Sequence, residues 1–165
     1  MNPLPLILYP NSILRKKAEK VSSCTAELRA LISHMVKAME KNDGIGLAGS
    51  QVGRTEQIFV AQDGEKAHGF FNPSFVSKSK ERSTEEEGCL SLPGIFLPVK
   101  RAERVVVACQ TPKGEWVRVE AEGLVARIFQ HEMDHLKGVL IIDRAGLWQR
   151  LKVRAKLKEL ERTAL

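Results

Sequence analysis

The stretch Gln130-His131-Glu132-Met133-Asp134-His135 holds two histidines four residues apart, with a glutamate directly after the first. On an α-helix, residues four apart lie on one face, so His131 and His135 can offer two imidazole nitrogens to one divalent metal. Such a metal lowers the pKa of a bound water, and the Glu132 carboxylate could move that water's proton to a leaving group. The stretch therefore predicts metal-assisted hydrolysis on a helix.

The residues on either side predict that this helix is buried. Apolar residues recur at helical intervals between residues 122 and 137, and Gly138 follows as a C-terminal cap. Because the helix is apolar on much of its circumference, we expect it at the centre of the fold, with both histidines facing a cavity. Residues 139–142 are expected to return to strand.

Two helical histidines at this spacing can also be ordinary packed or surface residues. The glutamate in the second position, in a chain with four histidines, favours the metal site. The other two, His34 and His68, show no such grouping. We expect His34 on a solvated helix face and His68 in a loop.

Elsewhere the pattern predicts short strands and two further helices. In the last helix we expect the first half to dock on the domain and the second half to project. The expected elements are an extended start at 6–9, a helix within 25–41, strands at 57–61, 70–73 and 74–77, a polar connection over 78–86, a hairpin of 104–110 with 115–119, and a helix over 147–160.

A glycine-rich loop runs from Gly44 to Gly53. Its first six residues match a dinucleotide-binding pattern, but that pattern needs a strand before it and a helix after it. Here a predicted helix precedes and a predicted strand follows, so a nucleotide site is rejected. The glycines do permit close backbone approach, and Gln51 then supplies a neutral amide donor.

Composition and length indicate one soluble globular domain of 165 residues, with 43% hydrophobic and 28% charged residues. The first ten residues lack a basic segment and are interrupted by prolines, and no apolar run is long enough to span a bilayer. Cys24, Cys89 and Cys109 are odd in number and share no short spacing, which favours a reducing compartment. We expect the cytoplasm.

The net charge of +6 lies mostly in the tail. An RNA-binding module is therefore a second hypothesis, although such modules interleave aromatic residues with basic ones and the tail has only Trp148. From residue 144 onward the basic residues are Arg144, Arg150, Lys152, Arg154, Lys156, Lys158 and Arg162, against Glu159 and Glu161.

Two histidines leave a tetrahedral metal site incomplete, so the third ligand decides the class of enzyme. A third histidine six residues after His135 would indicate a metzincin, but that position is Ile141. A thermolysin-like site would need Glu159 or Glu161, which lie in the basic tail. Cys89 is the better candidate, because a thiolate suits Zn²⁺ or Fe²⁺. A general zinc peptidase, which would not need Cys89, remains an alternative.

Three segments together resemble the motifs of the peptide deformylase family. They are Gly44-Ile45-Gly46-Leu47-Ala48-Gly49-Ser50-Gln51, Glu87-Gly88-Cys89-Leu90-Ser91 and Gln130-His131-Glu132-Met133-Asp134-His135-Leu136. They occur in the family's order and at suitable separations. The resemblance implies removal of the formyl group from the N-formylmethionine of newly made proteins in bacteria or organelles, with release of formate.

The resemblance also implies a fold and a set of residue roles. The fold is α+β, with short mixed or antiparallel sheets around the metal-binding helix and a C-terminal helix. Residues 1–146 would form the catalytic domain, and residues 147–165 a basic helix packed on it or projecting from it. The implied roles are metal binding by Cys89, His131 and His135, proton transfer by Glu132, and stabilisation of the formyl oxygen by Gln51 and the backbone N–H of Leu90.

The usual family metal is Fe²⁺, which Zn²⁺, Ni²⁺ or Co²⁺ can replace. We expect Gly46, Ile45, Leu124 and Ile128 to bind the substrate. Of these, Ile45, Leu124 and Ile128 are expected to form the pocket for the methionine side chain. Gly49 stands where the family usually has alanine, which should loosen the loop carrying Gln51, and Glu85 and Phe96 also depart from the expected pattern. The basic tail resembles an extension that some bacterial members use to dock on the ribosome.

Overall fold

The computed structural model describes residues 4–64 and 66–163. Two short 3₁₀ helices, at Ser12–Arg15 and Gly49–Val52, complete the regular structure of these residues. The other elements are α1 (Ala26–Lys41), β1 (Gly46–Ala48), β2 (Ile58–Asp63), β3 (Lys66–Lys78), β4 (Arg82–Gly88), β5 (Phe96–Ala102), β6 (Arg104–Gln110), β7 (Trp116–Glu122), α2 (Gly123–His135), α3 (Ile141–Arg144) and α4 (Leu147–Thr163).

Strand β2 lies between two helices and is buried on both faces. Alternate side chains of a strand point to opposite faces, and here Ile58 and Val60 pack in the cluster of α1, whereas Phe59 packs in the cluster of α2. Phe129 of α2 meets the Phe59 ring edge-on, with the two centroids 5.3 Å apart. The metal-motif helix is therefore fixed against the centre of the main sheet.

All paired strands are antiparallel and form two sheets. The larger sheet has the order β1-β2-β3-β6-β7, and β4 pairs with β5 in a separate two-stranded sheet. A third apolar cluster joins the small sheet, the N-terminal segment, α3 and α4. The predicted α+β class, with antiparallel sheets around a central helix and a C-terminal helix, is confirmed.

Several predicted elements are also confirmed. Thr25 caps α1 by accepting a hydrogen bond from the N–H of Leu28 at 3.2 Å, and the predicted hairpin is formed by β6 and β7. Cys109 is buried in the core as expected. Gly138, with φ of 71°, follows α2 as predicted, and a Cβ there would lie 2.3 Å from the carbonyl oxygen of Arg15.

Four local predictions are wrong. The expected strand pair at 70–73 and 74–77 is one strand, β3, which pairs with β6 on both sides of a register shift at Asn72 and Pro73. His68 also lies in β3 rather than in a loop. The polar connection over 78–86 contains β4, whose side chains are mostly exposed and show no apolar alternation. Residues 141–144 form α3, since Asp143 accepts a hydrogen bond from the N–H of Leu140 at 2.8 Å.

The packing of the tail is the reverse of the prediction. Leu147, Trp148 and Leu151, in the first half of α4, are 69%, 75% and 46% exposed. The later residues Val153, Leu157 and Leu160 pack against the third apolar cluster. Both faces of α4 carry apolar residues, so the pattern alone could not tell which one docks. Within the described part of the chain, no helix is long and apolar enough to cross a membrane.

Candidate active site

Both motif histidines lie on the inward face of α2, one turn apart. Their Nε2 atoms are 3.2 Å from each other, and their ring centroids are 5.0 Å apart. Burial lowers the pKa of His135, which favours the neutral imidazole that binds metals. Burial also lowers the pKa of His131, but hydrogen bonds with Cys89 and Glu87 outweigh it and raise that pKa.

Cys89 follows the last residue of β4 and reaches the same point. Its Sγ lies 3.2 Å from the Nε2 of His135, and the three donor atoms of Cys89, His131 and His135 all lie within 4.8 Å of one another. One thiol and two imidazoles, converging from different parts of the chain, form a donor set suited to Zn²⁺ or Fe²⁺.

Glu87 holds His131 from behind. Its Oε2 lies 3.1 Å from Nδ1 of His131, which leaves Nε2 directed at the donor cluster. Burial alone would raise the pKa of Glu87, but hydrogen bonds from Arg101 and His131 outweigh burial and lower the pKa to about 2. The carboxylate therefore stays charged. Carboxylates in this position fix the tautomer and orientation of ligand histidines. The sequence did not predict that Glu87 orients His131, although Glu87 lies inside the second of the three motifs.

Glu87 belongs to a chain of ionic contacts that links four elements and is buried except at Arg144. Arg101 of β5 donates two hydrogen bonds of 2.9 Å to Glu87 and one of 2.5 Å to Asp134 of α2. Arg144 of α3 donates to the same aspartate at 2.9 and 2.5 Å, and Arg127 donates to Glu87 at 2.7 Å. The helix carrying the histidines is thereby held to the strand that precedes Cys89.

Glu132 is 3% exposed, and its Oε2 has no hydrogen-bond partner among the described residues. Burial raises its pKa to about 7. The backbone of Gly46 passes directly against it: a Cβ at Gly46 would lie 2.3 Å from Oε1 of Glu132. Glycine at this position therefore permits the close approach between the loop and the carboxylate.

The side chain of Gln51 is held at both ends. Its Oε1 accepts a hydrogen bond from the N–H of Ala48 at 2.9 Å. Its Nε2 lies 3.2 Å from Oγ of Ser91 and 3.5 Å from Sγ of Cys89. This orientation turns the amide N–H groups towards the donor cluster. Gly49 lies in the same buried 3₁₀ helix.

A cleft of about 780 Å³ opens beside these groups. The predicted site residues Ile45, Leu124 and Ile128 all line it, as does Phe96. Ile128 is buried, whereas Leu124 and Phe96 are each 58% exposed at the mouth. The other predicted residues along the cleft are Gly46, Gln51, Cys89, Leu90, His131 and Glu132, and His135 lies behind them through its contact with Cys89.

Two imidazoles, a thiol and a buried carboxylate beside one apolar cleft define a metal-dependent hydrolase. The model of the polypeptide deformylase family matches residues 3–151. The chain belongs to this family. It is a hydrolase that removes the formyl group from N-formylmethionine at the N-terminus of newly synthesised proteins and releases formate.

Relatives and solved structures agree along nearly the whole chain. The peptide deformylase of Thermotoga maritima is 42% identical over 156 residues, which cover 94% of this chain and 95% of the relative. A crystal structure of peptide deformylase from Thermotoga maritima superimposes with a TM-score of 0.86 at 40% identity, covering 88% of this chain and 99% of the other. Peptide deformylase from Plasmodium falciparum in complex with an inhibitor gives a TM-score of 0.90 at 37% identity, covering 96% and 99%.

These matches decide between the hypotheses drawn from the sequence. Deformylase is the activity of the family, so the general zinc peptidase and the RNA-binding module are set aside.

Proposed function

We propose that Cys89, His131 and His135 bind the metal on which deformylation depends, with Fe²⁺ as the resident ion and Zn²⁺, Ni²⁺ or Co²⁺ able to replace it. The observation that carries the proposal is the convergence of three donor atoms within 4.8 Å. When bound, such an ion supplies Lewis-acid chemistry, which activates water and polarises the formyl carbonyl.

Glu132 moves the proton in this proposal. Its unpartnered Oε2 takes a proton from the attacking water and later delivers it to the nitrogen of the departing methionine amine. The contact with Gly46 limits the positions that the carboxylate can adopt. Glu87 acts through His131, because its hydrogen bond to Nδ1 orients that imidazole.

Gln51 and the backbone N–H of Leu90 donate to the formyl oxygen as it becomes anionic. The support for Gln51 is its fixed amide, with Nε2 next to Sγ of Cys89; Leu90 is the next residue in the chain and lines the cleft. Donors that are already in place where charge develops stabilise the transition state, by about 2.7 to 4 kcal/mol for one donor in mutagenesis.

The cleft receives the formyl-methionyl peptide. Ile45, Leu124 and Ile128 surround the methionine side chain in this proposal, and the backbone at Gly46 lies beside the substrate main chain. An unbranched thioether side chain suits an apolar pocket of this kind. The support is that all four residues line one cleft with the donor cluster.

We also propose that the enzyme acts in the cytoplasm and that its tail meets the ribosome. The three cysteines are unpaired among the described residues, as expected in a reducing compartment. Residues 1–146 carry the catalytic groups, and the helix in 147–165 leaves basic side chains and Trp148 exposed. Exposed cations of this kind attract phosphate-rich partners such as ribosomal RNA.

Metal content and formate release, measured together on anaerobically purified protein, test the assignment of ligands. Wild-type protein should hold iron and release formate from a formyl-methionyl peptide, and Cys89→Ala should lose both. Cys24→Ala is the matched control, because Cys24 is a partly buried thiol outside the site. A Cys89→Ala protein that keeps its metal and its activity would remove the thiol from the proposal.

A further inference from the structure

Helix α4 contacts two segments that line the substrate cleft. The Nζ of Lys156 donates a hydrogen bond of 2.5 Å to the carbonyl oxygen of Gly94, which lines the cleft. Further along the helix, Glu161 accepts a hydrogen bond of 2.9 Å from the hydroxyl of Tyr9. Tyr9 directly follows Leu8, another residue of the cleft wall. The helix therefore reaches the cleft from behind at two points.

The apolar contacts of α4 fall on the same two segments. Val153, Leu157 and Leu160 pack on a cluster that contains the fully buried Leu92 and Ile95. These two residues lie on either side of Pro93 and Gly94 in the loop that follows Cys89. The same cluster includes residues of the N-terminal segment. Helix α4 thus contacts these two segments of the cleft through apolar side chains as well as through hydrogen bonds.

Apart from α4, the loop is held by backbone hydrogen bonds and by the burial of Leu92 and Ile95 in the third apolar cluster. It turns through backbone hydrogen bonds from Leu92 to Cys89 at 2.9 Å and from Ile95 to Leu92 at 3.1 Å, and Tyr9 donates to Ser91 at 2.9 Å. Gly94 has a φ of 70°, and a Cβ there would lie 3.0 Å from Nζ of Lys156. Loops are commonly the mobile part of a binding site, so a contact that fixes one also fixes what it binds.

We infer that α4 is a positioning element of the substrate cleft in this chain, with Lys156 and Leu157 as its positioning residues. The inference rests on the proposed function of the cleft as the peptide-binding site. The docked face of α4 holds the Leu92–Ile95 and N-terminal segments in the shape that binds peptide. A ribosomal partner would then have to use the other face, with Leu147, Trp148 and Leu151, because the docked face is occupied.

This role predicts a particular kinetic signature. His131, Glu132 and His135 lie on α2, which packs on the main sheet. Cys89 and Leu90, at the start of the loop, are held by His135 and by the apolar cluster of α1, respectively. Loosening the contact with α4 should therefore weaken binding of the peptide while the chemical step continues. KM should rise, whereas kcat and metal content should stay close to those of the wild type.

Lys156→Met in the full-length, metal-loaded enzyme tests the hydrogen bond. We expect KM for a formyl-methionyl tripeptide to rise about two- to tenfold, the scale of one intramolecular hydrogen bond. Lys158→Met is the matched control, since Lys158 is exposed on the same helix and the charge change is identical. Equal KM values for the two variants would overturn the inference.

Leu157→Asp tests the apolar contact, with Leu151→Asp as its control on the exposed face. Leu157→Asp should raise KM about tenfold or more, because it places a charge against the apolar cluster, and Leu151→Asp should leave KM unchanged. A loss of kcat with an unchanged KM would indicate a general folding defect and contradict the positioning role. If Leu157→Asp does not fold, Lys156→Met decides. Failure of the wild type to release formate would instead refute the proposed function.

Discussion

Gly46 and Glu132 are in such close contact that one added carbon would disturb both. The Cβ of an alanine at position 46 would lie 2.3 Å from Oε1 of Glu132 and 2.9 Å from Cγ2 of Ile128. Small displacements of a catalytic group cost about 10²-fold in rate. We therefore expect Gly46→Ala to lower kcat/KM by about this factor in a formate-release assay.

Gly49→Ala is the matched comparison for Gly46→Ala. Its Cβ would lie 2.9 Å from Cγ1 of Ile58, on the side of the loop that faces the core. This substitution should therefore cost less than about tenfold in kcat/KM, since it moves no group that reacts. Equal losses for the two variants would show that the loop, and not the carboxylate contact, is what Gly46 protects.

Glu132→Gln removes the proton acceptor and keeps the shape of the side chain. A positioned acid or base commonly contributes about 10² to 10⁴ in rate, so kcat should fall by that amount while metal content stays at the wild-type level. Glu86→Gln, in an exposed glutamate that also lines the cleft, should leave kcat nearly unchanged. An active Glu132→Gln enzyme would rule out the proton transfer assigned to this residue.

Four elements, β4, β5, α2 and α3, meet at the buried charges of Glu87, Arg101 and Asp134 and at Arg144, whose side chain is 46% exposed. Breaking such a network by neutralising one member leaves a partner charge uncompensated, at a cost of about 3–5 kcal/mol. Glu87→Gln should lower the free energy of unfolding by this amount in urea. It should also weaken metal binding about 10- to 100-fold, because His131 loses its orienting carboxylate.

Glu81→Gln provides the control for that measurement. Glu81 and Arg104 form an ion pair at 3.3 Å whose side chains are 59% and 57% exposed, and exposed pairs contribute about 0–1 kcal/mol. If the two glutamate substitutions destabilise the protein equally, the buried network does not hold the site together.

Among the helices and strands, those with a strong apolar periodicity were the ones that the sequence predicted correctly. Helices α1 and α2 are long and amphipathic, so their apolar spacing identified them. Strand β4 could not be found in this way, because its two-stranded sheet leaves polar residues such as Thr84 and Glu86 in solvent. The four apolar residues at 139–142 fit a strand or a buried helix equally well, and the hydrogen bond from Leu140 to Asp143 decides for the helix.

At the scale of the whole molecule, the site gathers residues that are far apart in the chain. The spacing of His131 and His135 predicted two ligands from one helix, and the lack of another suitable ligand favoured Cys89 as the third, but no local pattern says that Gln51 comes to the same place. The resemblance to the family supplied that part. The roles of Glu87, Arg101 and Asp134 were not foreseen, since a charged residue looks the same in a sequence whether it is buried or exposed.

Metal binding should stabilise the entire fold, because the ligands come from different segments. A ligand that binds only the folded state, present at about 100 times its Kd, adds about 2.7 kcal/mol. Added Ni²⁺ should therefore raise the thermal midpoint of the metal-free enzyme by several degrees, and chelation should reverse the rise. Cys89→Ala should respond much less. Equal responses in the two proteins would place the bound ion elsewhere.

X-ray absorption at the iron edge of the anaerobically purified enzyme tests the central claim most directly, because it reports which atoms surround the metal. The claim predicts one sulfur and two imidazole nitrogens among the ligands of iron in the wild type, and almost no iron signal in Cys89→Ala, which should not retain the metal. A wild-type spectrum in which iron is surrounded by oxygen and nitrogen alone would contradict the claim.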